Sequence, residues 1–388
     1  MRIGLLGPLW PPRGGGGEVY LQRIGIALAA AGMEVFACTG AAAPEAAAGL
    51  APAAAARDVD PDDPAACAAW YPQVAAWLDA TRPTHLLVNA PFTRASHAHA
   101  EPVYAMARAR GCRIVGVHLD LDRGIVEGLA EAYAATGDWE GAARLGEARL
   151  AEMAASLGPG VHEEIGSPLV FDIDGLIACS DWSGRFVDPL ARVPRFTVHP
   201  PMGGLSAEPG GPALVRADFG FVNPRRHKGG PTLADIVRRA PEGWRFRALQ
   251  GGHGAAFADF RVAIAGAAAE IDLIERIDDM GRFYASIGAL IVASTYEGYG
   301  MVAVEAMARG VPVVARDYPA IREALGSGEG AGGLVVPFAA STAEWLAALE
   351  TVRSNPEPWR RAAASRTRVL AAREAEEIGA LVGFLRDL

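Results

Sequence analysis

Cysteine is scarce in this chain of 388 residues, and the four present, Cys38, Cys67, Cys112 and Cys179, form no Cys-x-x-Cys pair. That argues against a zinc site and a disulfide framework. Cys38, Cys112 and Cys179 adjoin apolar, strand-like runs and read as buried thiols of a reducing compartment. Lysine is scarce too, whereas Ala, Gly, Arg and Pro abound, which points to a GC-rich coding bias. Positive charge is in deficit, with 36 Lys and Arg against 45 Asp and Glu, a net charge of -9. A nucleic-acid-binding face needs the opposite balance, and no polybasic amphipathic helix offers a grip on an anionic membrane. No apolar run is long enough to span a bilayer. The chain opens directly on a strand, Arg2 to Leu6, with no signal peptide. A soluble, cytoplasmic protein without membrane insertion is expected. No repeat of 20 to 50 residues is present.

What is present is a regular alternation of short apolar runs and helical patterns. Hydrophobic residues make up 51% of the chain and charged residues 21%, a globular balance. Strands are expected at Ile3–Leu6, Glu34–Cys38, His85–Asn89, Arg113–Val117 and Val170–Ser180 in the first half. In the second they are expected at Phe219–Val222, Trp244–Gln250, Ile271–Glu275, Ala289–Ala293, Val311–Ala315 and Leu334–Pro337. Helical spacing fills the intervals, including one unusually long stretch from Gly124 to Leu157. Gly/Pro-rich residues 202–212 have linker composition. The order predicts an α/β protein of two doubly wound, parallel-sheet domains, residues 1–205 and 206–376.

The most informative stretch runs from Ala289 to Ala315. A buried strand ends at Ala293, and Glu297-Gly298-Tyr299-Gly300 makes a tight turn. A helix from Met301 carries Glu305 in its first turns and stops at Gly310. In parallel sheets ligands gather at the carboxyl ends of strands, and the following helix start presents free N–H groups to an anion. Two carboxylates beside an anion-binding helix start suit a sugar nucleotide; two exposed glutamates on a structural turn are the plain alternative. The run Glu-Gly-Tyr-Gly-Met-Val-Ala-Val-Glu-Ala-Met-Ala-Arg-Gly-Val-Pro-Val-Val-Ala resembles the signature of retaining glycosyltransferases of family 4. That resemblance implies GT-B architecture, two Rossmann-like domains facing a cleft, with a final helix, here 377–388, crossing back onto the first domain.

Other positions gain meaning beside it. Four glycines, Gly14 to Gly17, separate the first strand from a helix and can bind an anion through backbone N–H groups. The resemblance matches Gly16 and Gly17 to a loop facing donor phosphates and acceptor. His118 ends a strand, which by itself suits any polar terminus; the resemblance matches it to a histidine facing the sugar. Asn223-Pro-Arg-Arg-His-Lys228-Gly follows another strand. Lys228, Arg225 and Arg226 suit a diphosphate, and the resemblance is good at Lys228-Gly229. It departs at Asn223-Pro224, where many members have Gly-Arg, so the arginine is Arg225 or Arg226. Gly251 lies in a turn resembling the one beneath the nucleotide. From Asp120 to Glu164 there are ten acidic and three basic residues. With Asp120 and Asp122 on the acceptor side, this suits a cationic acceptor, or simply a solvated acidic helix face.

The implied activity is transfer of a hexose, with retention, from a nucleotide-diphosphate sugar such as a UDP-sugar to a small hydroxyl acceptor. An aminocyclitol, aminoglycoside or other secondary metabolite of antibiotic biosynthesis fits; a glycan or glycolipid acceptor is the rival. A nucleotide-sugar epimerase and a catalytically silent binding protein on the same fold are the other readings. Lys228, His118 and Glu297 are the expected catalytic residues. Gly298, Tyr299, Gly300, Met301 and Glu305 join the donor site, with Glu297 on the sugar hydroxyls and Glu305 on the ribose. No Asp-x-Asp metal motif stands in a donor-site context, and the resemblance implies metal-independent catalysis with no cofactor beyond the donor itself. A homodimer is compatible with the sequence.

Overall fold

The computed structural model describes residues 1–7, 16–39, 63–89, 102–118, 123–157, 173–191, 193–203, 216–251, 254–275, 277 and 279–388. The chain divides into two compact units, Met1–Gly203 with Arg373–Leu388, and Gly204–Ala372.

The first unit is built on strands β1 (Arg2–Gly7), β2 (Glu34–Thr39), β3 (His85–Asn89), β4 (Arg113–His118), β5 (Gly175–Ala178) and β6 (Arg195–Thr197). They form one sheet in the order β2-β1-β3-β4-β5-β6, every pair parallel. Strands β3 and β5 are buried along their whole length, as a sheet covered on both faces requires. The helices are α1 (Gly16–Ala30), α2 (Pro64–Thr81), α3 (102–108), α4 (Arg123–Thr136), α5 (Trp139–Leu157) and α6 (Asp181–Ala191). The expected long helix from Gly124 to Leu157 is therefore two helices. Gly137 lies in the left-handed region, and the Asp138 carboxylate accepts from the Gly141 N–H at 2.6 Å, starting α5 afresh. β6 carries no apolar alternation and was not anticipated.

The second unit holds β7 (Ala217–Val222), α7 (Gly230–Arg239), β8 (Arg245–Leu249), α8 (Gly254–Ala263), β9 (Glu270–Ile274), α9 (Met280–Ala285) and β10 (Ile287–Val292). It continues with α10 (Met301–Ala308), β11 (Val313–Arg316), α11 (Pro319–Leu325), β12 (Gly333–Val336) and α12 (Thr342–Ser354). Its strands are parallel in the order β12-β11-β10-β7-β8-β9. The core on one face is aromatic, with Phe219, Phe221, Trp244, Phe246, Phe257, Phe260 and Trp345 all buried.

Helix α13 (Pro356–Asp387) runs unbroken for 32 residues. No break separates a helix ending at Glu376 from one beginning at Glu377, since neither Gly nor Pro stands there to end the first. Its residues from Arg373 onward pack with the first unit. Glu377 accepts from the His199 backbone N–H at 2.9 Å and lies 2.6 Å from His199 Nδ1. Glu374 accepts from the Met202 N–H at 2.8 Å, and Phe384 stacks on Phe196.

The strand orders place the candidate site. In the second sheet the connections reverse direction between β7 and β10. In open parallel sheets such a reversal is where a ligand site is expected, at the carboxyl ends of the two strands. Lys228 follows β7, and Glu297 follows β10. In the first sheet the reversal falls between β1 and β3, whose ends carry Gly16–Gly17 and Asn89.

Candidate active site

The two loops at the β7/β10 switch point meet. Lys228 Nζ donates to Glu297 Oε2 at 2.9 Å, with 25% and 10% of these side chains exposed. Ser294 Oγ donates to Glu297 Oε1 at 2.6 Å. The carboxylate is thus held at both oxygens, and Ser294 is a site residue that the sequence reading missed. Thr295 N–H donates to the His227 carbonyl at 2.9 Å, which ties the loops together through the backbone.

Gly229 makes this approach possible. Its φ is +80°, and a Cβ there would lie 2.2 Å from the Ala293 carbonyl oxygen. Only glycine accepts both conditions. Asn223 answers the departure noted in the sequence. It has φ +56°, in the left-handed region where Asn is the next most tolerant residue after Gly. Its side chain packs on Gly251, where a Cβ would lie 2.4 Å from Asn223 Cγ.

The two arginines are placed differently. Arg226 is exposed, whereas Arg225 is half-buried with its Nε buried and without a hydrogen-bond partner. Burial pulls the Arg225 guanidinium below its ordinary value. His227 is likewise pulled down, by burial first, then by the charges of Lys228 and Arg225. Of the two, Arg225 is the less exposed, and its charge acts on His227.

Helix α10 begins at Gly300, with φ +96° and no side-chain cap. A helix leaves its first N–H groups without an intrahelical partner. Tyr299 is 2% exposed, so its ring is core; Gly298 is buried and Met301 half-buried. Glu305, one turn on, accepts from Tyr284 Oη at 2.9 Å. Arg309 stacks on the Tyr284 ring at 5.4 Å and donates to the Glu305 carbonyl at 3.2 Å. Tyr284, on α9, was also missed; no spacing rule links it to a carboxylate 21 positions away.

In the first unit, His118 ends β4 and is 3% exposed. Burial pushes its pKa down to about 3, so the imidazole is neutral. Gly16 and Gly17 begin α1. Asn89 Nδ2 donates to Glu18 Oε1 at 3.0 Å, and Asn89 Oδ1 faces the Gly17 α-carbon. Glu18 stands in the first turn of α1, beside Gly17. Asp120 and Asp122 lie outside the described residues. The acidic stretch is partly neutralised: Arg185 Nε donates to Glu147 at 2.6 Å, and Arg185 Nη1 to Glu140 at 2.9 Å. Among the described residues no group of three or more His, Cys, Asp or Glu could hold a metal ion, and no helix is long and apolar enough to cross a membrane.

Comparison with known proteins bears on this geometry. Residues 243–368 match the family described as Glycosyl transferases group 1. The lipopolysaccharide core biosynthesis mannosyltransferase LpsB of Rhizobium meliloti is 36% identical over 76 residues, 20% of this chain and 22% of that protein. This chain therefore covers about a fifth of that relative's length. Sucrose-phosphate synthase from Thermosynechococcus elongatus superposes with a TM-score of 0.67 at 17% identity, over 100% of this chain and 99% of that one. Anabaena HepE, solved with UDP and glucose, superposes with a TM-score of 0.65 at 15% identity over the whole of both chains. The fold is GT-B. The stretch that matches the group 1 family includes Glu297, Glu305 and the start of α10.

Proposed function

We propose that the protein is a retaining, metal-independent hexosyltransferase of family 4 type, with a UDP-sugar as donor and a small hydroxyl compound as acceptor. The observation that carries this reading is the Lys228–Glu297 pair at the β7/β10 switch point, beside the uncapped start of α10. The donor diphosphate sits against the α10 amides, Lys228 and Arg225. Glu305 takes the ribose hydroxyls, with Tyr284 holding its carboxylate in place. Glu297, fixed by Ser294, takes hydroxyls of the sugar. The carbon–oxygen bond to the diphosphate breaks, and the charge that develops on the leaving group is stabilised by Lys228, Arg225 and the helix N–H groups, usually the largest catalytic contribution. The acceptor hydroxyl attacks from the face the diphosphate is leaving, and a diphosphate oxygen takes its proton. UDP and UDP-glucose bound to HepE on the same fold support the choice of donor.

Acceptor recognition belongs to the strand ends of the first unit, where Glu18 and Asn89 offer a carboxylate and an amide. These groups suit a hydroxyl- or amine-bearing ring such as an aminocyclitol. A cytoplasmic location is part of the proposal.

Calorimetry with UDP, GDP, ADP and dTDP, followed by UDP-sugars and an acceptor panel, is the test. Selective UDP binding and transfer are expected, and Lys228→Ala should reduce turnover by about 10²- to 10³-fold while the protein stays folded. Full turnover in that variant would remove Lys228 from the chemistry. Donor binding without transfer to any acceptor would favour a silent binding protein instead.

A further inference from the structure

Another buried charge of the second unit stands apart from the pair described above. Arg316, the last residue of β11, is 7% exposed. Its Nε donates to the Ala293 carbonyl at 3.0 Å and its Nη2 to Thr232 Oγ1 at 2.8 Å; Nη1 donates to the Phe338 carbonyl. The rings of Phe338 and Trp345 stand 5.4 and 5.8 Å from its guanidinium carbon. Every partner is neutral, and no carboxylate among the described residues pairs with it. Burial pulls the guanidinium below its ordinary value.

A buried cation without a counter-charge is costly, and its position raises that cost. Ala293 O is the atom that a Cβ on Gly229 would meet, and Thr232 lies in the first turn of α7. A helix N-terminus is its positive end, where a cation is disfavoured. Lys228 and Arg225 stand at the same end. Among the described residues Glu297 pairs with Lys228. A negatively charged ligand at this end of α7 would offset that cost.

We propose that Arg316 is a positioning residue for the diphosphate subsite. It fixes the Ala293 carbonyl and the first turn of α7 against the Lys228–Gly229 turn, and from beneath it supplies positive charge that a diphosphate neutralises. The inference rests on the donor reading above and names a determinant of phosphate number at that site.

The test compares wild type, Arg316→Lys and Arg316→Met by calorimetry with uridine, UMP, UDP and inorganic pyrophosphate. Arg316→Met should weaken UDP and pyrophosphate at least tenfold and leave uridine unchanged, while Arg316→Lys stays within about threefold of wild type. Should Arg316→Met fail to fold, Arg316→Gln takes its place, since it keeps a hydrogen-bond donor and loses the charge. Equal weakening of all four probes would mean a purely structural anchor and overturn the inference, as would an unchanged preference for UDP over UMP. Either result leaves the donor reading standing if wild type binds UDP. Failure of wild type to bind any probe would overturn both.

Discussion

At the scale of single residues, the site is a set of charges whose partners lie far away in sequence. His118 shows what burial does to such a group. Its folded pKa of about 3 lies below the ordinary 6.5, so between those values the unfolded chain binds a proton that the folded chain does not. The stability this gives is present above pH 6.5 and is lost as pH falls toward 3. Replacing His118 by Gln should flatten the dependence of unfolding free energy on pH in that window by about 1.4 kcal/mol per pH unit. Denaturant titrations at pH 4, 5 and 6 would measure it. The slope that remains includes His85 and His227, both also shifted down, chiefly by burial. For the same reason, no ionisation of His118 should appear in a kcat/KM profile near pH 6.5. Glu305 makes a second case. Tyr284→Phe removes one hydrogen bond from its carboxylate, for which about a three- to tenfold loss of nucleotide affinity is expected. An unchanged Kd would show that Glu305 holds its position without the phenol.

At the scale of elements, the turns decide the geometry. Gly229→Ala has to accept a strained backbone, which costs about 1–2 kcal/mol, and a Cβ pressed into the Ala293 carbonyl. Gly111 is the control, with φ +73° and nothing within 4 Å of a Cβ. Thermal melts should show Gly111→Ala losing about 1–2 kcal/mol, and Gly229→Ala losing more as well as its nucleotide binding. The sequence was most legible where one local rule sufficed. The apolar runs at β3, β4, β7 and β10 stand out, and the turn before α10 announces itself through Glu297 and its glycines. It was least legible where a contact outside the element decides. β6 is a three-residue strand with half-buried residues, identifiable by pairing with β5 alone. The Gly137 break is hidden inside continuous helical spacing. Arg316 was overlooked because it follows an apolar run and looks like a surface terminus; a charge held at a strand end between carbonyls is seen only once β10, α7 and β12 are in place.

At the scale of the whole molecule, the last helix returns to the fold that the first strand begins. Leu385 is fully buried, and Leu388 packs so close to Gly175 that a Cβ there would meet it at 2.6 Å. Leu385→Ala should therefore cost about 2–5 kcal/mol, seen as a lower denaturant midpoint in the transition that reports the first unit. An unchanged midpoint would mean that residues 373–388 are dispensable for that core. Composition matters at this scale as well. Lys228 is the only lysine in the chain, and its ammonium lies 2.9 Å from Glu297. Protein grown on nitrogen-15 lysine would therefore carry one labelled side chain, so a single resonance reports whether an added nucleotide draws the ammonium away from Glu297, with no assignment problem to solve.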